Sequence, residues 1–279
     1  MKNSKKILTA GMVIGCLTVG STGMIALANG NAYQNFKNAA MQTSQIENKT
    51  VKSTMSVTKN GEVFASGTQT SQTNGTVSYS VGEMVFDGKT VVVENAKNDS
   101  EVIFAVDGQY TRMAIEDNEY GHSRGRSLED SPNSKKLMEM VTDILVGDVK
   151  NHFSGDQNHV SVTLDGAQVP ELVNVAVAAM SENSGRSRSD RSRNFSGYDG
   201  THMDLSQMSN LQIKSIAMDT DIVNGVLDNT NVSITVTYKN PQGQAEEMTY
   251  SMQSSISDIG STNPGTIDLT GKQVEEINR

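Results

Sequence analysis

The chain has 279 residues, of which 35% are hydrophobic and 20% charged, with 24 glycines, one cysteine, no tryptophan and a formal net charge of −9. That balance excludes a polytopic membrane protein, a collagen-like fibre and a disulfide-stapled miniprotein. The negative charge argues against general affinity for nucleic acid.

The first element is at the start. Lys2, Lys5 and Lys6 precede an uncharged run over residues 7–28 that closes on Ala26-Leu27-Ala28. A positive end, an apolar middle and small residues at −3 and −1 are the parts of a secretory signal peptide, assigned to residues 1–28. The apolar stretch enters the translocon while the lysines stay on the cytoplasmic side. Two other readings stand beside it. Val13-Ile14-Gly15-Cys16 has the shape of a lipobox, which would make Cys16 a lipidation site. Against it, the chain stays apolar from Leu17 to Ala28, where a lipoprotein carries a polar tether. An uncleaved anchor is the second, since 22 uncharged residues could span a bilayer. Gly11, Gly15, Gly20 and Gly23 make that a poor membrane helix. Cleavage after Ala28 removes the only cysteine and three lysines, which moves the net charge from −9 to −12. The product is expected outside the cytoplasm, secreted or at the cell envelope, and without any cysteine-dependent chemistry. Membrane contact is then transient, through the signal peptide.

Residues 29–279 read as a single domain. A short helix is predicted over 33–44, with Tyr33, Phe36, Lys37, Ala40 and Met41 at helical spacing. Residues 50–114 carry strand chemistry broken by Asn60-Gly61, Asn74-Gly75, Asp87-Gly88 and Asp107-Gly108, which are turn signals because a type I′ turn needs positive φ at both central residues. Such spacing predicts an antiparallel meander. Ser131-Pro132 opens a predicted helix with Leu137, Met138, Val141, Ile144 and Leu145 on one stripe and Gly147 as its stop. A strand over 159–164, a turn at Asp165-Gly166 and a second helix from Pro170, with Leu172, Val173, Ala176, Val177 and Met180 on one face, follow. Residues 183–200 are dense in Ser, Gly and Arg and predict a mobile loop. Strands are predicted again over 211–218, 232–238 and 248–256, the last two joined by the turn Asn240-Pro241-Gln242-Gly243. The fold class expected is α+β: a curved, half-barrel-like antiparallel sheet with helices covering one face.

Three segments carry a resemblance: Tyr33-Gln34-Asn35-Phe36-Lys37, the run from Leu164 to Asn174, and Thr266-Ile267-Asp268-Leu269-Thr270-Gly271-Lys272. They resemble exported proteins of Gram-positive bacteria, a group similar in element order to the lipoprotein-carrier (LolA-like) superfamily. The resemblance implies a half-open antiparallel barrel whose concave face, covered by helices, holds acyl chains. It carries over no functional residue, and such a fold does not by itself imply lipid transport.

Catalytic and metal motifs are incomplete along the whole chain. His122, His152, His159 and His202 lack the short defined spacing of metal ligands. No nucleophile elbow occurs after the signal segment. The phosphate-loop likeness at residues 265–272 fails on spacing and on Gln273, which stands where a Mg²⁺-binding hydroxyl belongs. Asp219, Asp221, Asn224-Gly225 and Asp228 match part of a calcium loop but have Val223, Asn224 and Thr230 at its fifth, sixth and twelfth positions, so a decorated hairpin turn is the better reading. No cofactor, metal or enzymatic activity is assigned. Two patterns remain. Arg124 and Arg126 lie in one Gly/Ser loop and Arg186, Arg188, Arg191 and Arg193 in another, where guanidinium forks suit phosphate or carboxylate; a pair of solubilising loops is the plainer explanation. The 12 methionines left after residue 28 recur in most predicted elements, which suits an adaptable apolar surface or a methionine-rich core. The expected function is an exported, non-catalytic binding protein sheltering an apolar or amphipathic ligand such as a lipid. The alternative is an envelope interaction protein with no small ligand, and an anionic envelope polymer is the other candidate partner. The pattern sets no oligomeric state.

Overall fold

The computed structural model describes residues 32–115, 149–169 and 209–277. Among them, one helix, α1 (Ala32–Ser44), leads into β1 (Asn48–Lys59), β2 (Glu62–Asn74), β3 (Val77–Phe86), β4 (Lys89–Lys97), β5 (Glu101–Val106) and β6 (Gln109–Ala114). After a 3-10 turn at Val149–His152 come β7 (Phe153–Gly155) and β8 (His159–Asp165), and a second 3-10 turn at Gly166–Gln168. Then follow β9 (Ser209–Val223), β10 (Val226–Lys239), β11 (Ala245–Ser257) and β12 (Val274–Ile277). The described residues are mostly β. The strands form one open sheet in the order β12-β6-β5-β4-β3-β2-β1-β11-β10-β9-β8-β7.

The predicted meander is present, and the turns follow their residues. Asn60-Gly61 (φ 51° and 88°), Asp87-Gly88 (48° and 70°), Asp107-Gly108 (48° and 76°) and Asn224-Gly225 (52° and 78°) place both central residues in the left-handed region. That matches the right-handed twist of the flanking strands. Between β2 and β3 the register closes on Gly75-Thr76, one residue later than the Asn74-Gly75 signal, and only Gly75 has positive φ. Asn224-Gly225 is thus a hairpin between β9 and β10. The longer turn at 240–244 is held by Asn240, whose Oδ1 accepts from the backbone N–H of Gln242 and Gln244 at 3.0 and 2.9 Å.

Two pairings lie beyond local reading. β1 pairs antiparallel with β11, so the first and penultimate strands sit at the centre of the sheet. The charged tail, whose sequence predicts no regular element, ends in β12, which pairs parallel with β6. It gets there along residues 258–273, which cross one face of the β1–β6 half as a strap. Asn48 exchanges hydrogen bonds with Thr262 N and O, and Thr50 and Thr262 join their hydroxyls at 2.9 Å. Gly265 N donates to Gln72 Oε1, and a Cβ on Gly265 would fall 2.9 Å from the Tyr79 ring, a close approach only glycine permits. Lys272 then stands over the Tyr110 ring. The face crossed carries the buried Ala96, Ile103 and Ala105.

α1 packs at the other end of the sheet and on the other face. Ala32 and Ala39 are buried with Val160 and Ile222, with Phe36, Phe153 and Leu227 around them. Phe153 meets Tyr33 edge-on at 5.2 Å and Phe36 at 5.5 Å. The face turned inward is therefore the Ala32/Phe36/Ala39 one, and Lys37 and Met41 of the expected stripe are not in this cluster. Helix cover by the described residues is limited to α1, and the predicted helices at 131–147 and 170–180 lie outside them.

Candidate binding site

Side chains alternate between the faces of a sheet, so register alone sorts the strands' residues. One row on the α1 side runs Val162–Met218–Val232–Met252–Met55–Gly67–Met84–Val91, each residue opposite the next across eight strands. The neighbouring row runs Leu164–Ile216–Ile234–Tyr250–Val57–Ala65–Phe86. All six methionines of the described strands, Met55, Met84, Met113, Met218, Met248 and Met252, fall on this apolar face. Val162, Leu164, Val169 and Ile213 are buried on it, with Val149, Phe153, Ile216, Met218, Ile234 and Val236 packed against them. Toward the middle of the sheet, Met55, Val57, Val232, Tyr250 and Met252 are only half-buried. Gly67 sits in the methionine row where a Cβ would meet the Glu83 carbonyl oxygen at 2.8 Å.

A polar knot closes one end of this face. Lys59 Nζ is 2.9 Å from Glu246 Oε2, and Asn240 Nδ2 donates to Glu246 Oε1 at 3.1 Å. Hydrogen bonds from Lys59 and Tyr238 hold the Glu246 carboxyl below its ordinary range. Burial, aided by Glu246, pushes the Tyr238 hydroxyl well above its own.

The opposite face differs in chemistry. An open trough of about 640 Å³ crosses β1, β11, β10, β9 and β8. Its sides are the rows Thr54–Gln253–Asn231–Asp219–Ser161 and Ser56–Ser251–Ser233–Ala217–Thr163. Hydroxyls and amides line it together with Met55, Met218, Val232 and Met252, and Asp219 is its one charged residue.

At the trough's rim His159 stands between two carboxylates, Nδ1 2.9 Å from Asp221 Oδ1 and Nε2 3.0 Å from Asp219 Oδ2. The hydrogen bond to Asp221 and the charge of Asp219 hold the imidazole above its ordinary value. Asp156 Oδ1 accepts from the backbone N–H of Asn158 and His159, which keeps that carboxyl low. Asp219 and Asp221, read in sequence as turn decoration, are thus partners of His159. Sequence reasoning missed this trio because 62 residues separate His159 from Asp221. Among the described residues no group of three or more His, Cys, Asp or Glu is arranged to hold a metal ion.

Arg124, Arg126, Arg186, Arg188, Arg191, Arg193 and Cys16 lie outside the described residues, as do His122 and His202. No helix among the described residues is long and apolar enough to cross a membrane.

No protein-family model and no curated protein matches the chain. Among solved structures, a putative thioesterase II from Thermobifida fusca is 9% identical over 84% of this chain and 88% of its own, with a TM-score of 0.13. A likeness of that degree carries no argument about fold or activity.

Proposed function

We propose that the protein is an exported, non-catalytic binding protein that shelters an apolar or amphipathic ligand, such as a lipid, against the methionine face of its sheet. The observation that carries this reading is the pair of apolar rows, continuous across the sheet yet only half-buried where α1 does not reach. Helices at 131–147 and 170–180 close over that face in this reading. Its support is the packing of Val149 and Val169, the described residues next to those segments, into the apolar-face cluster. Methionine suits such a surface because its unbranched, polarisable side chain adapts to ligands of varied shape. The arginines at 124, 126, 186, 188, 191 and 193 then serve an anionic headgroup at the rim.

The test is native mass spectrometry of the protein purified from its own host, paired with a fluorescent apolar probe. A retained lipid mass, and saturable probe binding lost in Val232→Asp and displaced by phospholipid, are expected. Protein that is always bare, with probe binding indifferent to Val232→Asp, would discard the reading. The trough on the opposite face, open and lined by hydroxyls, amides and the Asp219 carboxylate, favours one second reading, an envelope interaction protein without a small ligand. Retention on purified cell walls, compared with and without residues 186–193, separates the two. Salt-sensitive retention that survives the deletion removes that loop from the explanation.

A further inference from the structure

The sheet has two edges, and the one at β6 is closed by the chain's own last strand. β12 pairs Val274 with Tyr110, Glu275 with Thr111, Glu276 with Arg112 and Ile277 with Met113. Beyond backbone pairing the contact is read by charge. The Arg112 guanidinium forks onto Glu276, with Nε 3.0 Å and Nη2 2.6 Å from Oε1, and Nη1 lies 3.8 Å from Glu101. The β6 edge therefore already accepts an extended parallel segment with a carboxylate at one set position. Nothing about that recognition requires the segment to come from the same chain.

Four features make the occupant exchangeable. β12 is four residues long. The Arg112 and Glu276 side chains are 43% and 49% exposed, so water competes for their pairing. Residues 270–273, just before it, are exposed, and Gly271 has φ 69°. Upstream, Gly265 is held by Gln72 and the exposed Lys272 lies over the Tyr110 ring; with that one ring contact released, 12 residues lead from Gly265 to Ile277, an extended reach of about 40 Å. Without β12, β6 would present a row of unpaired backbone groups, the condition that drives edge-to-edge pairing. The tail of a second copy satisfies those groups with the same chemistry, at little cost beyond the loss of an intramolecular partner.

The geometry points to the β6 edge as a docking surface for the C-terminal strand of a second copy of this chain, with each copy's own tail as the competing occupant. The experiment uses cysteine trapping in the chain from Asn29, where Cys16 is absent. Thr111→Cys and Glu275→Cys in one chain face each other across the pairing and are expected to close a disulfide within it. Chains carrying one change each, one of them lengthened by a tag, are then mixed and oxidised. A disulfide-linked heterodimer on a non-reducing gel is expected. Arg112→Glu in the Thr111→Cys chain should abolish it, and Glu276→Arg in the Glu275→Cys chain should restore it, which also shows the acceptor to be folded. A bridge that forms only within the doubly substituted chain makes the tail a permanent intramolecular strand and overturns the proposal. Failure of that bridge overturns the pairing itself, and a heterodimer indifferent to both charge changes overturns the docking surface.

Discussion

His159 is an exposed imidazole that gains from its charge. Protonated, it donates from both ring nitrogens to Asp221 and Asp219; neutral, it has one N–H and must turn a lone pair toward a carboxylate. Its value is therefore raised in the folded protein. A raised value contributes stability that is fully present below the unfolded value, near 6.5, and is lost as pH rises through the folded one. His159→Gln should accordingly lower the urea midpoint at pH 6 and change it less at pH 9. A deficit that grows with pH would contradict the arrangement. Gly67 makes a different demand. Its missing side chain lets β2 and β3 approach, since a Cβ would lie 2.8 Å from the Glu83 carbonyl oxygen and 3.3 Å from Met84 Cγ. Backbone must move to admit it, so Gly67→Ala should cost about 1–3 kcal/mol, the usual range for overpacking, read as a lower midpoint at unchanged slope.

At the scale of elements, α1 is tied to the sheet by one hydroxyl as well as by its apolar face. Thr43 Oγ1 donates to the Ala39 carbonyl at 2.7 Å and accepts from Leu227 N–H at 2.9 Å. Thr43→Val keeps the shape and strands that N–H, so a loss of about 1–3 kcal/mol is expected, with faster hydrogen exchange at the Leu227 amide. Unchanged exchange there would show the bond to be dispensable. The hairpins rest on a steric rule that acts within two residues, which is why Asn60-Gly61 and Asp107-Gly108 were readable without a structure. Gly61 has φ 88° in open space. Gly61→Ala should cost about 1–2 kcal/mol, the penalty for an L-residue in the left-handed region, with no effect attributable to contacts. β12 had no such local signal. Val-Glu-Glu-Ile carries two charges in four residues and becomes a strand only because Arg112 and the free edge of β6 await it.

For the whole molecule, the organising fact is the division of the sheet into a methionine-bearing apolar face and a face that is polar over β8–β11 and covered by the strap over β1–β6. Parts of it were legible: Met248 and Met252 share parity within one strand, as do Val232, Ile234 and Val236. What joins them into rows is the β1–β11 pairing, a contact between residues about 200 apart that no window of sequence reveals. The same distance hid the meeting of His159 with Asp219 and Asp221. Such a face must be covered or occupied, because burial of half-exposed apolar surface is favourable by roughly 25 cal/mol per Å². If the segments at 131–147 and 170–180 provide the cover, their apolar stripes and the methionine row protect one another. Peroxide converts accessible methionine to a polar sulfoxide, so Met55, Met218 and Met252 should oxidise slowly in the intact chain. Leu137→Asp together with Val141→Asp places charge on the first stripe and should raise their oxidation rates, read by peptide mass spectrometry, while the β-sheet circular dichroism persists. Oxidation of these three at the same rate in both proteins would mean that the stripe at 137–145 covers something other than this face.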